Sequence, residues 1–339
     1  MTQPWIHSKR ADLVWIISPP FLTLFFILIF QDNIIKIDTQ NNFMIWLIFI
    51  VFIDVAHVYS TLFKTYFIKK EFNKHKWRYI LIPTFSFLTS AILYANSEIL
   101  FWSSLAFIAI FHFIRQQYGF TKLYNRLETN PFYKKIDILA IYTATLYPIF
   151  YWFLTPRQFN WFVDNEFGWL NFIPDIKNFA AVIYIIILIL WLIKTTIIYF
   201  KQKWINIPLT LIISGTFLSW YFGIIYFNND IVFTLLNVIS HGIPYIGLIY
   251  LNEIDKKEDY SPFIKKFKTH IGFILFLLIL IIFAFIEEFL WEILIWKENF
   301  DLNLNISSRY NFIIVSFLTI PQLTHYILDG FIWKRKYNQ

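Results

Sequence analysis

The sequence has no cysteine, only 8 glycines and few charged residues. The absence of cysteine excludes disulfide bonds, thiolate zinc sites, iron–sulfur clusters and cysteine nucleophiles. Charged residues make up 15% of the 339 residues and hydrophobic residues 58%, whereas an average soluble domain has about 25% and about 45–50%. A soluble globular fold is therefore excluded. Disorder is excluded as well, because an aromatic content of 22% cannot remain solvated.

Several catalytic motifs are also missing from the sequence. It contains no glycine-rich phosphate loop, no Gly-x-Ser-x-Gly nucleophile elbow and no His-Glu-x-x-His pair, which disfavours a membrane zinc protease. The clustered histidine boxes of membrane fatty-acid desaturases and hydroxylases are absent too. The net charge of +7 is typical of membrane topology rather than of nucleic-acid binding, so no nucleic-acid partner is expected.

Ten apolar stretches take up most of the chain, and each is close to the roughly 20 residues that a membrane-spanning helix needs. They are Ala11–Gln31, Phe43–Phe63, Trp77–Ala95, Glu98–Phe120, Ile136–Thr155, Phe179–Phe200, Ile205–Phe227, Ile231–Leu251, Ile271–Trp291 and Asn311–Trp333. We therefore predict an all-α, polytopic integral membrane protein. No linker or break in composition divides the chain, so residues 1–339 are expected to form a single membrane domain.

The distribution of lysine and arginine predicts how the chain is oriented. If the N-terminus is cytoplasmic, 24 of the 29 basic residues fall on the cytoplasmic side, and 5 on the other side. A wrong number of helices would mix the two groups. The asymmetry predicts that both termini are cytoplasmic. High Ile, Phe, Asn and Lys with scarce Gly is typical of a low-GC bacterium, so a bacterial inner membrane is the expected location. Pro19 and Pro20 are expected to kink the first helix, and the stretches Arg157–Lys177 and Glu287–Glu298 to lie at the outer interface.

Four of the seven histidines fall inside predicted spans, namely His57, His112, His241 and His325. They belong to the second, fourth, eighth and tenth helices, which all run toward the cytoplasm in the predicted topology. At about 1.5 Å per residue, each lies roughly 10–18 Å from the cytoplasmic end of its helix. The four rings are therefore predicted to share one layer of the membrane, where ionisable groups are costly and indicate function.

Each of these histidines has a polar residue three or four positions away, on the same helical face. The neighbours are Asp54 for His57, Gln116 for His112, Asn237 for His241, and Gln322 and Asp329 for His325. Four of the 8 glycines also lie in or just after these motifs: Gly119, Gly242, Gly247 and Gly330. Glycine allows a backbone or a ligand to approach closely, so these glycines also indicate a site at the four histidine motifs.

Neutral imidazole is a common ligand of zinc, copper, iron and nickel, and carboxylates or amides usually orient the ligating rings. The four histidines are therefore interpreted as metal ligands, with Asp54, Asp329, Gln116 and Asn237 as orienting groups. A divalent cation on neutral histidines would be balanced by the two aspartates. Such a site leaves coordination positions for dioxygen or substrate. If the aspartates also bind, a two-metal site becomes possible.

Other interpretations stay open at this stage. The four histidines would suit the axial positions of two haem b groups, or would line the path of a proton-coupled transporter with the two aspartates. Any single histidine is explained equally well by a hydrogen bond between helices. Arg115 reads most simply as a side chain that extends to the membrane surface, although it would also suit a pairing with Asp54 or an acidic lipid headgroup.

The pattern resembles the bacterial integral-membrane carotene-cleaving dioxygenases of the Brp/Blh type. The resemblance rests on single histidines on separate helices and on the phrases Phe111-His112-Phe113 and Ser240-His241-Gly242. The proline-histidine-glycine-alanine motif of that family is absent, and Asp54-Val-Ala-His57 stands in its place. The resemblance implies Fe(II) held by the four histidines, dioxygen as co-substrate, and a carotenoid- or lipid-like substrate that enters from the bilayer.

Overall fold

The computed structural model describes residues 2–37, 42–172, 174–255, 262–298, 302 and 307–333, and all secondary structure in these ranges is helical. Ten helices are long: α1 Lys9–Ile29, α2 Phe43–Phe63, α3 Lys76–Asn96, α4 Glu98–Tyr124, α5 Pro131–Phe153, α6 Lys177–Gln202, α7 Ile207–Tyr226, α8 Asp230–Asp255, α9 His270–Trp296 and α10 Ser308–Ile332. Short helices cover Gln31–Ile34, Lys69–Lys74, Gly168–Phe172, Pro262–Lys265 and Lys266–Lys268.

All ten long helices have the length and apolar composition needed to cross a membrane, which confirms the predicted number and indicates a multi-pass membrane protein. The predicted all-α class is confirmed with them. Five of the basic residues used to predict the orientation lie outside the described ranges: Lys256, Lys257, Lys334, Arg335 and Lys336.

Polar side chains fix the starts of several helices by accepting hydrogen bonds from the first free backbone N–H groups. Asn42 accepts from Met44 and Ile45 at the start of α2, at 3.1 and 3.2 Å. Asn206 does the same for α7, and Thr269 for α9. Pro131, which follows Asn130, is the first residue of α5. The N–H group at this position has no partner within a helix, so its absence in proline loses no hydrogen bond. These caps explain why the apolar stretches become helices with defined first residues.

Several of the long helices contain wider, π-helical turns. In α1 the turn Leu13–Ile17 is followed, after Ser18, by Pro19 and Pro20, which cannot donate the backbone hydrogen bonds of a regular helix. The longest such segment is Trp46–Val55 in α2, and it ends two residues before His57. Since π-helical turns are rare and often mark functional sites, this change of winding draws attention to the residues that follow it.

The chain divides into two compact units, whose boundaries fall within α4 and α8. The first unit comprises residues 1–37 and 110–241. Its core joins Ile114 of α4, Trp152 of α5, Trp220 and Ile224 of α7, and Phe233 of α8. Burial of these large apolar side chains stabilises the unit through packing, since lipid provides little hydrophobic driving force between helices.

The second unit comprises residues 38–109 and 242–339. Its core joins Val55 and Phe63 of α2, Ile249 of α8, and Phe276 and Leu280 of α9. Phe63 and Phe276 meet edge to face, with ring centroids 4.8 Å apart. This packing holds α2 against α8 and α9 on either side of His57.

A buried ion pair links α5 and α6 within the first unit. Lys194 Nζ lies 2.5 Å from Asp137 Oδ1, and the two side chains are 6% and 1% exposed. Asp137 also accepts hydrogen bonds from Asn125 Nδ2 at 3.0 Å and from Trp191 Nε1 at 3.2 Å. Lys194 was one of the residues used to predict the topology. It lies inside α6 and is buried, so its position is explained by the ion pair with Asp137.

The segment between α5 and α6 is organised by the carboxylate of Glu166. It accepts hydrogen bonds from the backbone N–H groups of Trp161, Phe162 and Val163, the latter two at 2.9 and 3.2 Å. Burial raises the pKa of Glu166 to about 7 from its ordinary value of 4.5, although the three backbone donors oppose the rise. Protonation of one side chain is therefore coupled to the folding of this loop.

We expect this coupling to make the protein more stable at pH 5 than at pH 8. Because the pKa of Glu166 is higher in the folded state, the folded protein binds more protons between pH 4.5 and 7. The stabilisation is fully present below pH 4.5 and is lost as the pH rises through 7. Because Gln mimics the protonated carboxyl at both pH values, the melting temperature of wild type relative to that of Glu166→Gln, measured in detergent, should fall from pH 5 to pH 8. A difference independent of pH would contradict this prediction.

Candidate metal centre

His112 of α4 and His241 of α8 form the first of two close histidine pairs. Their Nε2 atoms are 3.1 Å apart, and their rings are nearly perpendicular, with an interplanar angle of 81°. Phe113, the next residue on α4, stacks on the His241 ring with a centroid distance of 3.6 Å. This stacking fixes the plane of His241, so that its Nε2 faces His112.

His57 of α2 and His325 of α10 form the second pair. Their ring centroids are 4.9 Å apart, and the rings meet at 78°, as in the first pair. Both residues are buried, with relative exposures of 1%. Two edge-to-face imidazole pairs with nearly the same geometry are thus built from helices that are far apart in the sequence.

The four histidines lie close together, as the sequence predicted. One ring nitrogen of each can be chosen so that all four atoms lie within 4.8 Å of one another, and all four residues are buried. Two nitrogens bound to one ion at about 2.0–2.1 Å are about 3.0–4.2 Å apart, depending on the angle between them. The observed spread exceeds this range by less than about 1 Å, which small side-chain rotations can remove. The geometry and the imidazole donors are compatible with a metal site.

The residues four positions after the histidines are also polar. Each histidine is followed four residues later, one helical turn away, by a polar side chain: Thr61, Gln116, Tyr245 and Asp329. Spacing of four residues places each such pair on one helical face. Thr61 and Tyr245 were not among the predicted site residues, although the spacing used for the others would have found them.

Thr61 and Tyr245 connect His325 to Asp329. Thr61 Oγ1 lies 2.7 Å from His325 Nδ1 and 3.1 Å from the Tyr245 hydroxyl oxygen. The Tyr245 hydroxyl donates to Asp329 Oδ1 at 2.5 Å, and Trp333 Nε1 lies 3.3 Å from the same oxygen. Asp329 was predicted to orient His325. The structure places two hydroxyl groups between them.

Asp54 lies beside His57, as its spacing predicted. Its Oδ1 is 3.7 Å from His57 Nδ1, and 34% of its side chain is exposed, against 2% for His57. The distance is longer than a hydrogen bond and suits an electrostatic interaction. Nδ1 of both His57 and His325 thus faces a polar neighbour.

Gln116 and Asn237 have different contacts from those expected. Gln116 Nε2 donates to the backbone carbonyl of His241 at 2.9 Å, so it holds the α8 backbone rather than an imidazole ring. Asn237 Nδ2 donates to the carbonyl of Phe233 on its own helix, at 2.9 Å.

Arg115 is on the exposed side of α4. Its Nη1 donates to the Tyr142 hydroxyl at 2.8 Å, and its guanidinium lies over the ring of Tyr118, 4.5 Å from the centroid. These contacts are those of a cation held by aromatic side chains at the edge of a helix. Among the predicted site residues, Arg115 therefore has the weakest structural link to the histidines.

Gly242 provides the close approach that was predicted for the glycines. A Cβ atom at this position would be 2.9 Å from the backbone oxygen of Ile53 and 2.8 Å from its Cγ2. Only glycine allows α8 to approach α2 this closely next to His241 and Asp54. Gly119 and Gly330 have open space around the corresponding position, so close packing does not explain them.

Three buried glutamates on α9 were missed in the sequence. Glu287, Glu288 and Glu292 are 4%, 7% and 2% exposed. Glu287 Oε2 accepts a hydrogen bond from Tyr59 at 2.6 Å, and Glu288 interacts electrostatically with Asp54. The ninth predicted span already contained Glu287 and Glu288, so the rule that ionisable residues in a span indicate function would have found them.

Comparison of the chain with protein-family models, with curated protein sequences and with solved structures gives no match.

Proposed function

We propose that this protein is a membrane non-haem metal oxidoreductase, with iron held by His57, His112, His241 and His325. The observation that carries the proposal is the convergence of four buried imidazoles from four helices within 4.8 Å. Groups of neutral imidazoles in an apolar interior favour a transition metal over calcium or magnesium, which prefer oxygen ligands. A bound iron ion would supply redox chemistry with dioxygen.

The protein supplies charge balance and a closed environment. Two ionised carboxylates offset the charge of a divalent ion on neutral histidines, and Asp54 and Asp329 are the nearest candidates on the helices of His57 and His325. The histidines are 1–3% exposed, so bulk water is excluded from them. Stacking of Phe113 on His241 and hydrogen bonding of Thr61 to His325 hold the rings in orientation.

Direct coordination is favoured over haem for a geometric reason. Axial histidines lie on opposite faces of a porphyrin, whose ring fills the four equatorial positions of the iron. Here the ligand atoms of all four histidines lie within 4.8 Å of one another, and His112 and His241 meet at 3.1 Å. A porphyrin cannot be inserted between rings that are this close.

The proposed substrate is a lipid-soluble molecule, carotenoid- or lipid-like, that reaches the site from the bilayer, and dioxygen is the co-substrate. The ten apolar helices and the shielding of the histidines from water support an apolar substrate. The proposed location is a bacterial inner membrane with both termini cytoplasmic, which the distribution of basic residues supports.

The proposal is tested by purifying the protein from cells supplied with iron and measuring its metal content and oxygen consumption. About one iron per chain is expected, without the intense Soret absorption of haem. Oxygen uptake should increase when a carotenoid in detergent is added, and it should stop when the iron is removed with a chelator. Purified protein without stoichiometric iron, copper, manganese or zinc, or a red haem protein, would contradict the proposal.

A further inference from the structure

A continuous chain of hydrogen bonds leads away from His325. It begins at His325 Nδ1, passes through the hydroxyl groups of Thr61 and Tyr245, and ends at Asp329 Oδ1. Thr61 and Tyr245 come from α2 and α8, whereas His325 and Asp329 are one turn apart on α10. Three helices therefore contribute to a connection that no single helix could make.

The chemistry of the last group fixes the direction of this chain. Trp333 Nε1 is only a donor, so Asp329 Oδ1 accepts from it, and as a carboxylate oxygen it accepts from the Tyr245 hydroxyl as well. The Tyr245 hydroxyl therefore donates its one hydrogen to Asp329. Tyr245 then accepts from Thr61, whose only hydrogen is used in that bond. The Thr61 oxygen is left to accept from His325 Nδ1.

We infer that Thr61, Tyr245 and Asp329 are positioning residues that fix the tautomer of His325, with the proton on Nδ1 and the lone pair on Nε2. This inference rests on the proposed metal site, because a metal binds the nitrogen that carries the lone pair. The tautomer of a ligating histidine is set by the hydrogen bond of its other nitrogen. Here that control extends over three hydrogen bonds.

The far end of the chain is itself held in place. Lys64 Nζ lies 4.3 Å from the centroid of the Trp333 ring and pairs with Glu253, whose side chain is 5% exposed. Trp333 is thus fixed between a cation and the Asp329 carboxylate that it donates to. A chain with both ends restrained can hold the ring in one orientation, whereas a single hydroxyl could rotate.

The test compares hydroxyl deletions with matched controls. Tyr245→Phe and Thr61→Val remove one link each, whereas Thr61→Ser keeps the hydroxyl. Tyr250→Phe removes a hydroxyl from the same helix as Tyr245, one that donates to the Phe267 carbonyl at 3.0 Å. We expect the dissociation constant for Co²⁺ to rise about 10–100-fold in the two deletion variants and to stay unchanged in Thr61→Ser and Tyr250→Phe.

The tautomer is read separately from metal binding, by ¹⁵N NMR of the metal-free protein with labelled histidine. The signals of His325, identified by their loss in His325→Gln, should show a protonated Nδ1 in wild type and a mixture of tautomers in Tyr245→Phe. The inference would be overturned if Nε2 of His325 is protonated in wild type. It would also be overturned if the deletion variants keep the Co²⁺ affinity and the His325 tautomer of wild type. If wild type shows the expected tautomer but binds no metal, the proposed function fails and the inference that Nε2 is a ligand falls with it.

Discussion

His112→Gln is expected to abolish metal binding. The substitution removes one of the four imidazoles. In wild type, His112 Nε2 lies 3.1 Å from His241 Nε2, so the variant keeps only one ligand of this pair. Substituting a residue that only orients a metal ligand weakens metal binding by up to about 100-fold. Removing a ligand itself should therefore weaken binding by at least about 100-fold. A metal at 1,000 times its dissociation constant stabilises a folded protein by about 4.1 kcal/mol, so binding is measurable as a rise in melting temperature.

The matched control is His75→Gln. His75 lies outside the cluster and faces Glu71, with 3.5 Å between His75 Nε2 and Glu71 Oε1. We expect added metal to raise the melting temperature of wild type and of His75→Gln equally, and to leave that of His112→Gln unchanged. An equal response in all three proteins would mean that the metal binds elsewhere.

The largest effect on stability is expected from breaking the buried pair of Lys194 and Asp137. Lys194→Met leaves the Asp137 carboxylate buried without its cation, and Asp137→Leu leaves the ammonium group of Lys194 without its anion. Each change should lower the free energy of unfolding by about 3–5 kcal/mol, because an unpaired charge remains in an apolar environment. The double variant should recover most of the loss, since replacing both partners removes both charges.

The exposed pair of Lys177 and Asp175 is the control for this experiment. Its atoms are 3.0 Å apart, but the side chains are 33% and 58% exposed, so water screens their attraction. Lys177→Met should change the free energy of unfolding by about 0–1 kcal/mol. The measurement is a denaturation series in mixed micelles. Additive losses in the double variant of Lys194 and Asp137 would contradict the account of a charge pair.

The spans were predictable because an apolar stretch of sufficient length leaves a chain in lipid no alternative to a helix. The predicted Phe43–Phe63 coincides with α2, whereas α4 continues four residues past the predicted Phe120, to Tyr124. Residues 121–124 are partly polar and fall outside the predicted span. Their helical state comes from tertiary contacts, such as the hydrogen bond from Tyr124 to Asp12. Composition alone cannot report such a contact.

The histidine layer was predictable for a similar reason. Histidines at similar depths on helices that run in the same direction must lie at one level, whatever the arrangement of the helices. The contacts within that level were not predictable, because spacing relates residues only on one helix. Tyr245 shares a face with His241 but its hydroxyl bonds Thr61 and Asp329, and Gln116 shares a face with His112 but bonds the backbone of His241.

If four imidazoles surround one cation, X-ray absorption spectroscopy of the metal-loaded protein should show all four of them around the metal. Zinc-loaded protein at one equivalent should show a nitrogen shell at about 2.0–2.1 Å, with the multiple scattering of four imidazole rings. In His325→Gln the scattering should correspond to three imidazole rings, which would show that the bound zinc is held by this histidine cluster. A shell with two imidazoles or fewer, or one dominated by carboxylate oxygens, would contradict the account.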